Sequence, residues 1–402
     1  MSLYGMMRTG GSGMNAQANR LGTVAENIAN ANTTGYKRAS TEFSSMILPS
    51  SAGSYNSGGV ETKVRYSIAD EGAKVYTTSG SDLAIDGGGF FIVNSANNQS
   101  FLTRAGAFTQ DDAGNLVNAA GYTLMGYEYE EGVDPTVVVN GFDGLKPVNL
   151  SSDGLVAKGS TEGSMGANLP SGAAVGDIST TSLIVYDSQG NSRILDFNYE
   201  KTSDNNWSLE IVDRTSGTSL ATKALAFNAA GELTTTPTTV STAAMTALAG
   251  TGANLGAIDI DLAKTTQLGY KFNPDGGSID GNAPSKVAGF QIDDDGTVFV
   301  KYENGKLDPR YRIALANVQS PDNLVPQAGN VYSQGVNSGV IVTGFPGSGD
   351  FGGVISGALE SSNVDIAEEL TAMIESQRSY TANSKVFQTG ADLLDVLVNL
   401  KR

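Results

Sequence analysis

The chain has 402 residues, with 25 Lys and Arg against 42 Asp and Glu for a formal net charge of −17. At roughly 100–200 residues per domain, that length holds about two to four domains. Neither Cys nor His occurs, which removes thiol nucleophiles, disulfides, Cys/His zinc sites and imidazole acid–base chemistry, and the acidic balance gives no basic footprint for a nucleic acid.

Residues 1–30 read as a helix. Met7, Met14, Leu21 and Ile28 recur every seven residues, and Gly11, Ala18 and Ala25 stand four positions after the first three. The pattern is a narrow seam with large residues on one line and small ones on the other. Gly10, Gly11 and Gly13 weaken it, because Gly costs about 1 kcal/mol per helical site. The helix is expected to stop in the turn-forming stretch Asn30-Ala31-Asn32-Thr33-Thr34-Gly35. This segment lacks the apolar core of a cleaved signal peptide. Residues 36–70, poor in large apolar residues after Leu48, read as an extended connector.

From about 60 to 355 the pattern turns to short strands and tight turns. Thr297-Val298-Phe299-Val300-Lys301-Tyr302 alternates apolar with polar residues, as a half-buried strand does. Asp111-Asp112-Ala113-Gly114, Asp187-Ser188-Gln189-Gly190, Asn228-Ala229-Ala230-Gly231 and Asp293-Asp294-Asp295-Gly296 share one form, a type I turn closed by a left-handed Gly. Antiparallel β domains are therefore expected. Residues 145–284, rich in small residues and holding the single Trp, Trp207, read as an inserted domain.

The C-terminal segment reads as the stronger helix. Ser361, Ser362 and Asn363 offer caps, and Asp365 and Glu368 suit the positive end of the helix dipole. A 4-3 ladder then runs through Ile366, Leu370, Met373, Gln377, Tyr380, Ser384, Phe387, Ala391, Leu394 and Val398. Val364, Ile374, Val386 and Leu397 lie off that ladder, so the helix needs neighbours on more than one side. Residues 1–68 carry a net +3 and residues 363–402 a net −2, so the span between them carries a net −18. The two ends are mutually attractive and are expected to pair. The chain then nests in three parts: a terminal helical domain with its connector (1–70 and 361–402), an inner β domain (71–144 and 285–360) and an outer inserted β domain (145–284). The expected class is mainly β with α-helical termini paired in a coiled-coil-like bundle.

Sites for chemistry are weak. Gly347-Ser348-Gly349-Asp350-Phe351-Gly352 matches a dinucleotide-binding loop, but no helix start follows it, so a Gly-rich loop is the better reading. Gly87-Gly88-Gly89 lacks the Lys-Ser/Thr of a phosphate loop and reads as a tight bend. Asp293–Asp295 lacks the acid that a calcium loop needs at Gln291 and reads as a solvated hairpin tip. No enzyme, cofactor or metal is expected, nor a nucleic-acid partner. No run of about 18 apolar residues would span a membrane.

Several motifs resemble one known family, the bacterial flagellar rod and hook axial proteins. Asn27-Ile28-Ala29-Asn30 followed by Asn32-Thr33-Thr34-Gly35-Tyr36-Lys37 is similar to its N-terminal signature. Ser362-Asn363-Val364-Asp365, Met373-Ile374, Gln377-Arg378-Ser379-Tyr380 and Ala382-Asn383-Ser384-Lys385 are similar to the C-terminal one. Asp82–Phe91 and Thr103–Phe108 resemble the family's inner β domain. Rod members are typically shorter and lack a large insert, so the length and the 145–284 segment resemble the hook branch, with a distal rod-type subunit as the alternative.

The resemblance implies export without a cleaved signal through the flagellar type III apparatus and polymerisation outside the cell. The product would be a flexible curved tube that passes motor torque to the filament. Partners would be further copies of the chain, the flagellar rod, the hook cap and the hook–filament junction proteins. The polymerisation residues would be the seam positions Met7, Met14, Leu21, Ile28, Ile366, Leu370, Met373, Tyr380, Phe387, Leu394 and Val398, with Asn27, Asn30 and Gly35 of the N-terminal motif. A lytic enzyme and a calcium-dependent adhesin are the rival classes.

Overall fold

The computed structural model describes residues 3–46, 58–130, 133, 135–151, 155–246, 248 and 252–400. Contacts divide the chain into two compact units. One comprises Met1–Ser151, Gly289–Lys301 and Leu307–Arg402, and the other Ser152–Ala288 and Tyr302–Lys306. The described residues are mainly β, with two long helices, α1 (Leu3–Ala29) and α2 (Ile366–Leu400). Among them, no helix is long and apolar enough to cross a membrane.

In the first unit α1 ends at Ala29, where the turn-forming stretch predicts it, and two strands follow: β1 (Ala39–Met46) and β2 (Gly59–Tyr66). They pair antiparallel from Ala39↔Tyr66 to Met46↔Gly59. The expected extended connector is thus a long hairpin. Its side chains are mostly exposed, and it lies along α1 through polar groups. Ser12 Oγ accepts from Val60 N at 2.8 Å and donates to Val60 O at 2.9 Å. Asn19 Nδ2 donates to Thr62 Oγ1 at 2.8 Å, and the Thr23 and Thr41 hydroxyls bond at 3.0 Å. Backbone pairing and side-chain hydrogen bonds make these strands, and neither leaves an apolar alternation to read.

The strands β3 (Lys74–Tyr76), β4 (Leu83–Asp86), β5 (Phe90–Asn94) and β6 (Ser100–Thr103) lead into a sheet. Its central run has the order Leu307–Ile313, Thr123–Glu128, β5, β6, Val331–Ser333 and Val325–Gln327, with antiparallel pairing throughout. Successive β5 residues serve opposite faces. Phe91 and Val93 enter one apolar core, and Phe90 and Ile92 another. A sheet covered on both sides explains the unbroken apolar run Phe90-Phe91-Ile92-Val93. The Gly87–Gly89 bend precedes it, with φ near +110° at Gly87 and +118° at Gly89. The strands Gly353–Ser356 and Ala358–Glu360 pair with β4 and β3 and carry the chain toward α2.

The second unit holds a four-stranded antiparallel sheet of Ile178–Tyr186, Ser192–Ser203, Asn206–Asp213 and Ser219–Ala226. Glu162–Pro170 lies in another sheet, where it runs parallel to Asp259–Asp261 and Thr266–Leu268 and antiparallel to Asn273–Ile279. One core joins them, centred on Trp207, Phe197 and Tyr199. The four predicted turns form as expected. In each, the Gly amide donates to the carbonyl of the turn's first residue, at 2.9–3.0 Å, and φ at Gly114, Gly190, Gly231 and Gly296 lies between +79° and +87°.

Candidate functional site

The terminal helices are antiparallel partners. Met7 of α1 lies against Gly390 of α2, Gly10 and Gly13 against Asn383 and Phe387, and Arg20 bonds Glu375 at 3.0 Å. A Cβ added at Gly13 would stand 2.8 Å from the Asn383 side chain, and one at Gly390 2.7 Å from Met7 Cγ. The glycines that weaken α1 on propensity therefore set how closely α2 approaches. The small line buried on α1 is Gly10, Gly13 and Ala16, whereas Ala18 and Ala25 of the expected line are exposed. The hairpin shares the helix surface with α2, which turns the contact line away from the heptad seam.

Met7, Met14, Leu21 and Ile28 are half-buried in the single chain. Asn27 is buried and ties the end of α1 to β1. Its Nδ2 donates to Ala39 O at 2.7 Å, and its Oδ1 accepts from Ala39 N at 2.9 Å and Tyr36 Oη at 3.2 Å. Burial, aided by the nearby Glu26 carboxylate, pushes the Tyr36 hydroxyl up to about 12. Asn30 closes the helix end, donating to Glu26 O at 3.0 Å and accepting from Thr33 Oγ1 at 3.2 Å. It also lines an open cavity of about 580 Å³ with Tyr36, Tyr66 and Tyr332. Gly35 has φ of +66°, and a Cβ there would meet Ala105 N at 2.6 Å, so both conformation and space call for glycine.

On α2, Asp365 supplies the cap, its Oδ1 accepting from Ala367 N at 2.8 Å. This replaces the expected Ser361–Asn363 cap. Asn363 instead accepts from Arg38 N at 2.7 Å and donates to Ser67 O at 3.0 Å, spending its side chain on the connector. Met373 and Leu394 are half-buried, whereas Ile366, Leu370, Tyr380, Phe387 and Val398 are exposed. So are Ile374, Val386, Leu393, Val396 and Leu397, with Leu397 at 56% and Val398 at 62%. These residues fall on more than one side of the helix. A single chain covers only part of the apolar surface of α2.

Sequence reasoning missed a buried ionic cluster at the foot of the helices. Glu360 is fully buried and pairs with Lys37 and, at 3.3 Å, with Arg104. Burial pulls the Lys37 ammonium below the ordinary lysine range, opposed by the Glu360 carboxylate. Three charged residues dispersed across the sequence carry no periodic signal. Lys37 and Arg104 lie inside two separate family-like motifs, and Glu360 lies in none. Among the described residues, no group of three acids is placed to hold a metal ion.

Four family descriptions match the chain in the order of these parts. "Flagella basal body rod protein" matches residues 7–37, and "Flagellar hook protein FlgE/F/G D1 domain" matches 84–158. "Flagellar basal body protein FlaE D2 domain" matches 149–282, and "Flagellar basal body rod FlgEFG protein C-terminal" matches 355–400. The flagellar hook protein FlgE of Rhizobium meliloti (strain 1021) is 78% identical over the whole of both chains. The chain belongs to the flagellar hook protein family. The hook protein of Escherichia coli (strain K12) is 33% identical over 97% of this chain and 98% of its own. The crystal structure of Helicobacter pylori flagellar hook protein FlgE2 shares the fold, with a TM-score of 0.54 at 15% identity over 71% of this chain and all of that one. Hook relatives matched along their full length favour the hook over the rod-type alternative.

Proposed function

We propose that this chain is the structural subunit of the flagellar hook, polymerising outside the cell into a flexible curved tube that carries motor torque to the filament. The observation that supports this reading is the apolar surface α2 leaves exposed, with Ile366, Leu370, Ile374, Val386, Val396, Leu397 and Val398 all open to water in one chain. Exposed apolar side chains in this number on one helix mark an association site. Further copies of α1 and α2 are its natural cover, and seam residues Met7, Met14, Leu21, Ile28, Met373, Tyr380, Phe387 and Leu394 contribute to that packing. The β parts, each with its own closed core, carry nearly all the negative charge and suit the outside of a tube whose contacts slide as it bends. The rod, the cap, the junction proteins and the type III export apparatus are the partners this role requires. The reading assigns no catalysis.

Electron microscopy of the concentrated protein tests it. Ordered tubes are expected from the native chain. Val398→Lys keeps a favourable charge sign at the helix C-terminus but places an ammonium in the helix bundle, so it should remain monomeric. Tubes of normal abundance from that variant would remove the α2 face from the interface.

A further inference from the structure

Four stretches remote in sequence meet at one side chain. Glu360 ends the strand Ala358–Glu360. Its carboxylate accepts from Lys37 Nζ, from Gly72 N at 2.9 Å and from Arg104 Nη1 at 3.3 Å. Its backbone carbonyl accepts from Gly35 N at 2.7 Å. The cations are held in turn: Lys37 Nζ also donates to Asp70 O, and Arg104 Nη2 donates to Gly87 O at 2.9 Å. Arg104 stacks 5.1 Å from the centre of the Phe90 ring, which belongs to the sheet core. Glu71, Tyr36, Tyr66 and Tyr332 are further titratable groups acting at the cluster.

As a source of stability this cluster is poorly built. Two cations share one carboxylate, and Arg104 Nε is buried without a hydrogen-bond partner. Buried ion pairs often stabilise no better than apolar residues of the same size, and fixing one geometry is their better-attested use. Here the geometry is that of the helix roots. Helix α1 ends six residues before Gly35, and α2 begins six residues after Glu360.

We propose that Glu360 is a positioning residue that fixes where both terminal helices leave the β core, through contacts separate from the helix–helix interface. It locks the loop after α1, the Asp70–Gly72 segment and the strand leading to α2 onto Arg104, so each copy presents its helices in one register. Only the consequence for assembly rests on the hook reading.

Amide hydrogen exchange on the full-length monomer, together with tube assembly, tests the proposal. In the native chain, Gly35 and Gly72 should exchange about as slowly as Ile92 and Val93 of β5. Glu360→Gln keeps the volume and removes the charge. It should speed exchange at Gly35 and Gly72 by roughly a few hundredfold or more, the scale of a broken buried ion pair, with β5 unchanged, and raise the concentration needed for tubes. Adding Lys37→Met removes the stranded ammonium and should recover much of the slow exchange. Unchanged exchange in Glu360→Gln, acceleration shared equally by β5, or no recovery in the double variant would each overturn the proposal. Accelerated exchange with native-like assembly would also overturn it, while leaving the hook reading intact. Failure of the native chain to form tubes would instead count against the hook reading, with the exchange results still deciding the geometry of the roots.

Discussion

Strand β5 and helix α2 are both rich in apolar residues, yet they stand in opposite conditions. In β5, Phe90, Phe91, Ile92 and Val93 are all buried, because the sheet is covered on both faces by its own chain. In α2, Ile374, Val396, Leu397 and Val398 are each more than half exposed. A strand in a two-sided sheet finds every neighbour within one fold. A 35-residue helix is about 50 Å long and, among the described residues, packs chiefly on α1. The difference separates what one chain completes by itself from what, on the proposed function, needs other copies, and substitutions on the two sides should behave differently.

The largest effect on the free chain is expected at Phe91. Its ring packs edge-on against Phe108 at 5.9 Å between centroids within a fully buried cluster. Phe91→Ala removes that burial and leaves a cavity, costing about 3–5 kcal/mol. A denaturant titration followed on the first unit should show the loss. A change below about 1 kcal/mol would mean the core closes around the gap, and that the contrast with α2 is overdrawn.

What could be read from the sequence follows the same division. Turns such as Asp111–Gly114 were legible because a carboxylate and a left-handed Gly are local requirements. The strand β5, buried on both faces, carries no period, whereas both helices were legible because one-sided burial imposes one. The β1–β2 hairpin was not, since Ser12, Asn19 and Thr23 hold it by hydrogen bonds. The α1–α2 contact line was only partly legible: a heptad of large residues drew attention, while the close approach is made at Gly10, Gly13 and Gly390. Lys37, Arg104 and Glu360 meet only in three dimensions, and charge counts along the chain leave such a meeting invisible.

An intermediate effect is expected at the helix contact itself. Gly13→Leu drives a side chain into Asn383, and overpacking of this kind costs about 1–3 kcal/mol. The gain in helix propensity, about 1 kcal/mol over Gly, offsets part of it. Helical circular dichroism should melt at a lower temperature while the β signal holds. An unchanged or raised helical melting point would show that α2 retreats without loss, and that the small residues are not what sets the spacing.

The smallest effect on the free chain, and a large one on assembly, is expected from Ile374→Glu. Ile374 is 53% exposed, so the single chain loses little burial. Glu is a better helix former than Ile, and a glutamate four residues before Arg378 gains about 0.2–0.5 kcal/mol from the pairing. The thermal midpoint of the monomer should therefore stay where it is or rise slightly. In a tube the same carboxylate would be enclosed among apolar side chains from neighbouring copies, at a cost of several kcal/mol per subunit. Sedimentation across a concentration series should then show monomer where the native chain pelletes as polymer. Because Ile374 lies off the ladder through Leu370 and Met373, the variant also asks how many sides of α2 are covered. Normal assembly of Ile374→Glu, alongside failure of Val398→Lys, would confine the interface to the ladder and leave this side of the helix facing water.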